Sequence, residues 1–172
     1  MEIGSSGFES RCFPDENPRE LTDDELGPLK ERLRTPNWER MWYLADALRA
    51  GLSLEDIHQI TNIDPWFLFN LKQIVDMELK LIACGRNCKG DFDKMREEIL
   101  AAKKYGFSDQ RLARLLQASE STVRDVRWKN GIRPVYKRVD TCGGEFEAFT
   151  PYLYSTYEDE CEAAPTDRDK IM

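Results

Sequence analysis

GLSLEDIHQI, residues 51–60, is echoed 55 positions later by GFSDQRLARL, residues 106–115. In both copies a serine follows the glycine by two residues, and apolar residues then recur at helical spacing. Glycine favours the left-handed backbone that ends a helix, and serine is a preferred N-cap of the next one. An amphipathic pattern precedes each copy. The repeat therefore predicts two small helical units, each a helix closed by glycine, a short helix, a tight turn and a further helix.

The first unit is predicted to span about residues 37–82. A helix that starts at Pro36-Asn37 is expected to bury one face, because its apolar residues recur at steps of three and four: Trp38, Met41, Trp42, Ala45 and Leu48. Upstream of this unit, Thr22 and Glu25 have the spacing of a capping box. Gly27-Pro28 is expected to interrupt that helix, so that a short helix restarts at Pro28.

The helix predicted to begin at Asp64-Pro65 has two apolar faces. One face is expected to pack into the unit and carries Phe67, Leu71, Ile74, Val75 and Ile82. The other face carries Trp66, Phe69 and Met77. A helix with two apolar faces can pack one of them against its own unit and the other against more of this domain or another molecule. Trp66, Phe69 and Met77 are therefore candidate protein-interface residues.

The second unit is predicted to span about residues 91–131, after a loop at residues 84–90. Asp91, Ser108 and Ser119 are expected to cap its helices, and Gly106 and Gly131 are expected to end two of them. The inward residues are Phe92, Met95, Ile99, Ala102, Leu112, Leu115, Leu116, Val123 and Val126. Beyond Pro134 the pattern changes to that of an extended arm, in which Tyr152, Tyr154 and Tyr157 suggest aromatic contacts. The predicted fold class is all-α, two small helical units of helix-turn-helix type followed by an extended C-terminal arm.

Charge is unevenly placed along this chain of net charge −7. Residues 106–139 hold eight Lys or Arg against three Asp or Glu, whereas residues 140–172 hold two against nine. This asymmetry is compatible with a basic surface and an acidic tail. The simpler interpretation, which we favour, is that the opposite charges neutralise each other within the fold or face different neighbours.

The cysteines and the hydropathy pattern bear on where the protein is located in the cell. Five irregularly spaced cysteines are typical of reduced thiols rather than of a disulfide framework, which predicts a cytoplasmic protein. The chain contains no apolar run of about 18 residues and no leader-like segment, so no membrane association is expected.

The second unit also has the form of a DNA-binding helix-turn-helix. Six residues could form a basic surface on or just before its last helix: Arg111, Arg114, Arg124, Arg127, Trp128 and Lys129. The overall charge of −7 argues against nucleic-acid binding. A small helix-turn-helix DNA-binding protein nevertheless stays open as the alternative function.

The sequence predicts no catalytic, cofactor-binding or metal site. His58 is the sole histidine and is expected to be a boundary residue rather than a base or ligand. Cys84 and Cys88 lack a recognisable second pair of zinc ligands, so they are expected to be incidental thiols. The carboxylates of 158–160 are expected to be a solvated acidic run.

Several strings nevertheless resemble one family closely. The most specific are Asp64-Pro65-Trp66-Phe67 and the segment from Tyr136 to Cys142; Glu2-Ile3-Gly4, Gly7-Phe8-Glu9 and the segment from Glu145 to Glu158 agree with them. They resemble the middle, or oligomerisation, domain of the carbamoyl phosphate synthetase large chain. The resemblance implies that 1–20 is a coil from the seam with a first synthetase half, 21–134 the helical oligomerisation domain and 135–172 an arm leading to a second half.

The family implies a function outside this chain. Its enzyme is a glutamine-dependent, ATP-dependent ligase that makes carbamoyl phosphate for arginine and pyrimidine biosynthesis, with ATP and Mg²⁺ or Mn²⁺ bound by the two halves. The resemblance places no catalytic residue or cofactor in this chain. It implies a non-catalytic scaffold whose partners are the flanking halves, the assembly with the glutaminase small subunit and further copies of itself.

Overall fold

A computed structural model describes residues 4–13, 19–88, 90–149 and 152–167 of the chain. Predicted features that involve residues 1–3, 14–18, 89, 150–151 or 168–172 lie outside these ranges. The described elements, in chain order, are α1 (Asp23–Arg34), α2 (Arg40–Arg49), α3 (Leu54–Thr61), α4 (Pro65–Cys88), a 3-10 turn (Phe92–Met95), α5 (Arg96–Lys104), α6 (Asp109–Leu116), α7 (Glu120–Lys129), β1 (Val135–Arg138) and β2 (Leu153–Thr156). The predicted all-α class with an extended C-terminal arm is confirmed.

The internal repeat is a repeat of backbone geometry. Gly51 and Gly106 both adopt φ +87°, the left-handed conformation that glycine tolerates best. Ser53 and Ser108 each accept a hydrogen bond from the backbone N–H three residues later, at 3.0 Å in both units. With an offset of 55 residues, α3 coincides with α6, and α4 and α7 start at matching positions. The prediction of two units built alike is therefore confirmed.

Each unit buries an apolar cluster, and α4 belongs to both. In the first cluster the fully buried residues are Leu29, Leu33, Leu44, Ala47, Ile57 and Leu68. The second is built around Leu81, Met95, Ile99, Ala102, Phe107, Leu112, Leu115, Leu116 and Val123. Leu68 and Leu81 lie about 20 Å apart along α4, as the rise of 1.5 Å per residue requires. The long helix thus connects the cores of the two units.

The sequence predicts that a short helix restarts at Pro28, but the structure shows no such break in α1. It runs unbroken from Asp23 to Arg34, with Pro28 inside it and the predicted capping box of Thr22 and Glu25 at its start. Proline removes the hydrogen bond to the carbonyl four residues earlier, but here that residue is exposed in the first turn, where water can replace the donor. Burial of Leu29 and Leu33 in the first cluster stabilises the continuous helix.

Two predicted buried faces are correct only in part. Trp38 and Met41 are exposed, whereas Trp42 and Ala45 are buried as predicted. In α4, Phe67 is exposed, whereas Val75 is buried as predicted and Leu68 is buried in addition. The predicted faces are incomplete because charged side chains are expected to lie outside, whereas the buried faces of α2 and α4 contain charged residues, described below.

Within the predicted loop at residues 84–90, residues 84–88 form the last turn of α4, which continues to Cys88. Cys84 and Cys88 pack against the second cluster, which favours the helix there. Gly85 lets α6 approach closely, because a Cβ at this position would lie 2.9 Å from Cδ2 of Leu116. The Cys88 thiol donates to the Gly85 carbonyl at 3.2 Å. Helix packing therefore overrides the weak helix propensity of this stretch.

The C-terminal arm forms a hairpin. Strands β1 and β2 pair antiparallel, with Val135 opposite Thr156 and Arg138 opposite Leu153. After β2, Tyr157 packs against the second apolar cluster. Of the three tyrosines expected to make contacts, Tyr157 attaches the extended arm to the second unit, whereas Tyr152 and Tyr154 are exposed.

Among the described residues, no helix combines the length and apolar character that crossing a membrane requires.

Candidate protein interface

Three aromatic side chains are exposed on the first two turns of α4. Trp66 is 66%, Phe67 58% and Phe69 52% accessible to solvent, and we call these three residues the α4 aromatic surface. The rings of Trp66 and Phe67 meet edge to face with centroids 4.9 Å apart. Of the predicted interface residues, Trp66 and Phe69 lie on this surface. Met77 does not, because it is half-buried and packs against the second apolar cluster.

Local contacts fix the start of α4 and so the direction of its aromatic residues. The Asp64 carboxylate accepts the Trp66 N–H at 2.8 Å, and proline follows at the first helical position, where no donor is needed. In the turn before it, the His58 Nδ1–H donates to the Ile63 carbonyl at 2.7 Å. Leu68, fully buried, anchors the same turn of helix to the first core. His58 is therefore a structural residue, and the aromatic surface stands on a rigid support.

A buried ionic cluster joins α2, α4 and α6. Glu78 of α4 accepts from Arg49 of α2 through Oε2 at 2.5 Å, and from the Arg111 Nη2 of α6 through Oε1 at 2.8 Å. Arg49 also pairs with Asp46 at 2.7 Å. All four side chains are at most 3% exposed. We call Asp46, Arg49, Glu78 and Arg111 the Glu78 cluster; its charges are buried because they neutralise one another.

The same cluster holds the segment 4–13. Asp46 Oδ2 accepts the backbone N–H groups of Arg11 and Cys12 at 2.7 and 2.9 Å. Arg49 and Arg111 both donate to the Phe8 carbonyl, the latter at 3.3 Å. The N-terminal segment is therefore attached to residues from both helical units. The pKa of the Cys12 thiol is raised to about 12, mainly by burial and next by the negative charge of the nearby Asp46 carboxylate.

A second buried ionic cluster lies in the second unit, at the attachment of the arm. Asp109 pairs with Arg127 at 2.8 Å and with Lys103 at 3.0 Å. Burial alone would raise the pKa of the Asp109 carboxyl, but the hydrogen bonds from Arg127 and Lys103 hold it below its usual value. The Lys103 ammonium lies 5.1 Å from the ring centroid of Tyr157 in the arm. We call Lys103, Asp109 and Arg127 the Asp109 cluster.

The basic surface on which the DNA-binding alternative depended is neutralised. Its five cations each pair with a carboxylate: Arg111 with Glu78, Arg127 with Asp109, Arg114 with Glu9, Arg124 with Glu120 and Lys129 with Asp93. Trp128 is stacked by the guanidinium of Arg133, 4.4 Å from the ring centroid. Phosphate contacts need cations that are free to bind them, and these serve the fold instead. These paired carboxylates lie outside residues 140–172, so this surface is neutralised by other parts of the fold and not, as expected from the sequence, by the acidic tail.

Metal-site geometry is absent from the described ranges: no group of three or more His, Cys, Asp or Glu residues is arranged to hold an ion. Cys84 and Cys88 lie in α4 and pack against the second apolar cluster.

The comparison with protein families agrees with the helical fold described above. A family profile described as "Carbamoyl-phosphate synthetase large chain, oligomerisation domain" matches residues 1–131. The chain belongs to this family. The oligomerisation-domain match covers the N-terminal segment and the seven helices of the described residues, so both helical units lie within the matched part of the chain.

Relatives extend the match into the arm. The protein named "Carbamoyl phosphate synthase large chain" from Myxococcus xanthus (strain DK1622) is 47% identical over 173 aligned positions, which include the whole chain. Those of Vibrio parahaemolyticus and Xanthomonas axonopodis pv. citri are 43% identical over the whole chain and 48% identical over 88% of it. The chain spans about 15% of the length of these relatives.

Proposed function

We propose that this domain scaffolds a carbamoyl phosphate synthetase large chain and self-associates through the α4 aromatic surface. The surrounding protein would be the glutamine-dependent, ATP-dependent ligase that supplies carbamoyl phosphate to arginine and pyrimidine biosynthesis in the cytoplasm. ATP and Mg²⁺ or Mn²⁺ would bind in other parts of that protein. Its partners would be the flanking synthetase halves and, through the assembled enzyme, the glutaminase small subunit.

The exposure of Trp66, Phe67 and Phe69 supports this proposal most directly. Large aromatic residues dominate the energy of protein interfaces when a partner buries them, and clusters of them in solvent mark such sites. Leu68, between Phe67 and Phe69, is fully buried, so the backbone of this turn is fixed before any partner arrives. A preformed aromatic surface of this kind loses little side-chain entropy on association.

The two ionic clusters support the scaffolding part of the proposal. The Glu78 cluster binds the segment before the helices, and the Asp109 cluster lies beneath the arm that follows them. Both connections are thereby fixed to one helical body. A domain inside a much longer chain can hold its neighbours in register only if both connections are fixed in this way.

Sedimentation velocity on the purified chain tests the association surface. Trp66→Ala with Phe69→Ala should weaken self-association by at least roughly thirtyfold, since even one interface hot spot is worth about 2 kcal/mol. Trp38→Ala is the matched control, because Trp38 is also 66% exposed but lies before α2. Equal effects of the two changes, or none from the α4 variant, would refute this surface.

A further inference from the structure

Glu78 lies where the N-terminal segment and the two helical units meet. Its carboxylate spans two guanidiniums, one from α2 of the first unit and one from α6 of the second. Both guanidiniums also donate to the Phe8 carbonyl of the segment. We propose that Glu78 couples the docking of segment 4–13 to the packing of α6 on α4, so that neither can loosen without the other.

The coupling follows a continuous path of short contacts. It begins at the backbone N–H groups of Arg11 and Cys12, which bind Asp46. Asp46 binds Arg49 at 2.7 Å, and Arg49 binds Glu78 at 2.5 Å. Glu78 then binds the Nε and Nη2 of Arg111 at 3.1 and 2.8 Å, on the far unit. Each step is a charge-assisted hydrogen bond, and the steps that join Asp46, Arg49, Glu78 and Arg111 lie between buried side chains.

Burial makes this path cooperative. An exposed ion that loses its partner is solvated by water, whereas a buried one is left unpaired in a medium of low polarity. If the segment leaves, Asp46 loses two donors and Phe8 no longer accepts from Arg49 and Arg111. If α6 moves, Glu78 loses one of its two cations while Arg49 still binds the other oxygen. Coupling between two sites is reciprocal, so a change at either end is felt at the other.

Segment 4–13 and α6 are far apart in sequence, yet the coupling makes the local stability of each depend on that of the other. This device rests on the proposed function only for its purpose, which would be to carry the position of the preceding part of a large chain into the second helical unit. The coupling itself is a property of the 172 residues and is testable on them alone.

Hydrogen–deuterium exchange read by mass spectrometry measures both ends at once. The decisive variant is Asp46→Asn, because asparagine has one acceptor oxygen and one NH₂ group. It cannot accept from Arg49 and from the Arg11 and Cys12 amides together. This variant leaves the Glu78–Arg111 pair chemically intact. Exchange is recorded at a concentration where the chain is monomeric, so that a failure of self-association does not enter the result.

We expect Asp46→Asn to raise exchange roughly tenfold in segment 4–13 and also in residues 109–116 of α6. Residues 120–129 of α7 serve as the internal reference for global opening. Glu78→Gln should raise exchange at both ends by more, and the two changes together should raise it by less than the product of their separate effects. Asp76→Asn is the matched control, since Asp76 is on the same helix but in an exposed pair with Lys72.

Two results would overturn the coupling. In one, Asp46→Asn loosens segment 4–13 while α6 keeps its protection. In the other, exchange rises equally in α6 and in the α7 reference, which would mean a general loss of stability instead of a specific connection.

Discussion

Removal of the Asp109 carboxylate should destabilise the chain far more than removal of an exposed one. Lys103 and Arg127, with side chains 8% and 9% exposed, both pair with Asp109. In Asp109→Ala each keeps a backbone acceptor, the Phe107 carbonyl at 2.6 Å and the Ile132 carbonyl at 3.0 Å. Breaking a buried pair costs about 3–5 kcal/mol, and the remaining carbonyl contacts place this case near 3 kcal/mol.

Urea unfolding followed by circular dichroism at pH 7 measures this cost. For a chain of this size, 3 kcal/mol also corresponds to a fall in Tm of about 6–12 °C. Asp76→Ala is the control, because Asp76 forms an exposed i,i+4 pair with Lys72 and should change the unfolding free energy by at most about 0.5 kcal/mol. A cost below about 1 kcal/mol for Asp109→Ala, or one equal to that of the control, would refute the reasoning.

The pH dependence of the same difference is a second test. The pKa of Asp109 is lower in the folded chain than its unfolded value of about 3.9, so its ionised form stabilises the fold. That contribution is fully present above about pH 5 and is lost as the pH falls below 3.9 towards the folded pKa. The difference in unfolding free energy between the wild type and Asp109→Ala should therefore shrink below about pH 4. A difference that grows in acid would contradict the assigned pairing.

Further predictions concern thiols and glycines. In the native chain at pH 8, iodoacetamide should modify Cys161 at least about a hundredfold faster than Cys12. Hydrogen bonds from backbone groups lower the pKa of the exposed Cys161 thiol, whereas the pKa of the Cys12 thiol is raised to about 12. Peptide mapping measures the two rates, and equal rates would contradict this prediction. Gly85→Val should lower the unfolding free energy by about 1–3 kcal/mol, since even a Cβ would meet Leu116 at 2.9 Å; an unchanged urea midpoint would contradict that close approach. Gly51→Ala, at φ +87° with open space around the Cβ, should cost about 1 kcal/mol in the same assay, and a gain in stability would disprove the left-handed conformation.

The repeat and its helix boundaries could be predicted from sequence because they depend on local chemistry. Ser53 and Ser108 cap their helices with their own side chains, and Gly51 adopts a backbone conformation that other residues avoid. These interactions join residues that are close in the chain, so the local residue types are enough to predict them.

The exposed aromatic residues could only be predicted in part, because a hydrophobic pattern does not identify its partner. Trp38 and Met41 continue the apolar pattern of α2 but lie outside its buried face. Phe67 was assigned inward and is exposed, whereas Met77 was assigned to a second face and packs against the core. Which stripe is buried depends on what the other helices bring to it.

The buried charges were missed because long charged side chains are usually exposed. A signal for Glu78 existed: it falls three residues after Val75 and four before Ile82, in line with the apolar stripe of α4. A carboxylate at such a position requires cations from other elements, here Arg49 and Arg111. The sequence does not state where those elements lie, so the cluster emerged only from the tertiary structure.

Light scattering on a size-exclusion column, over about a hundredfold range of concentration, tests self-association of this domain most directly. The account predicts a dimer or larger assembly at high concentration that dissociates on dilution. A constant monomer mass at every concentration would contradict an association surface built into these residues.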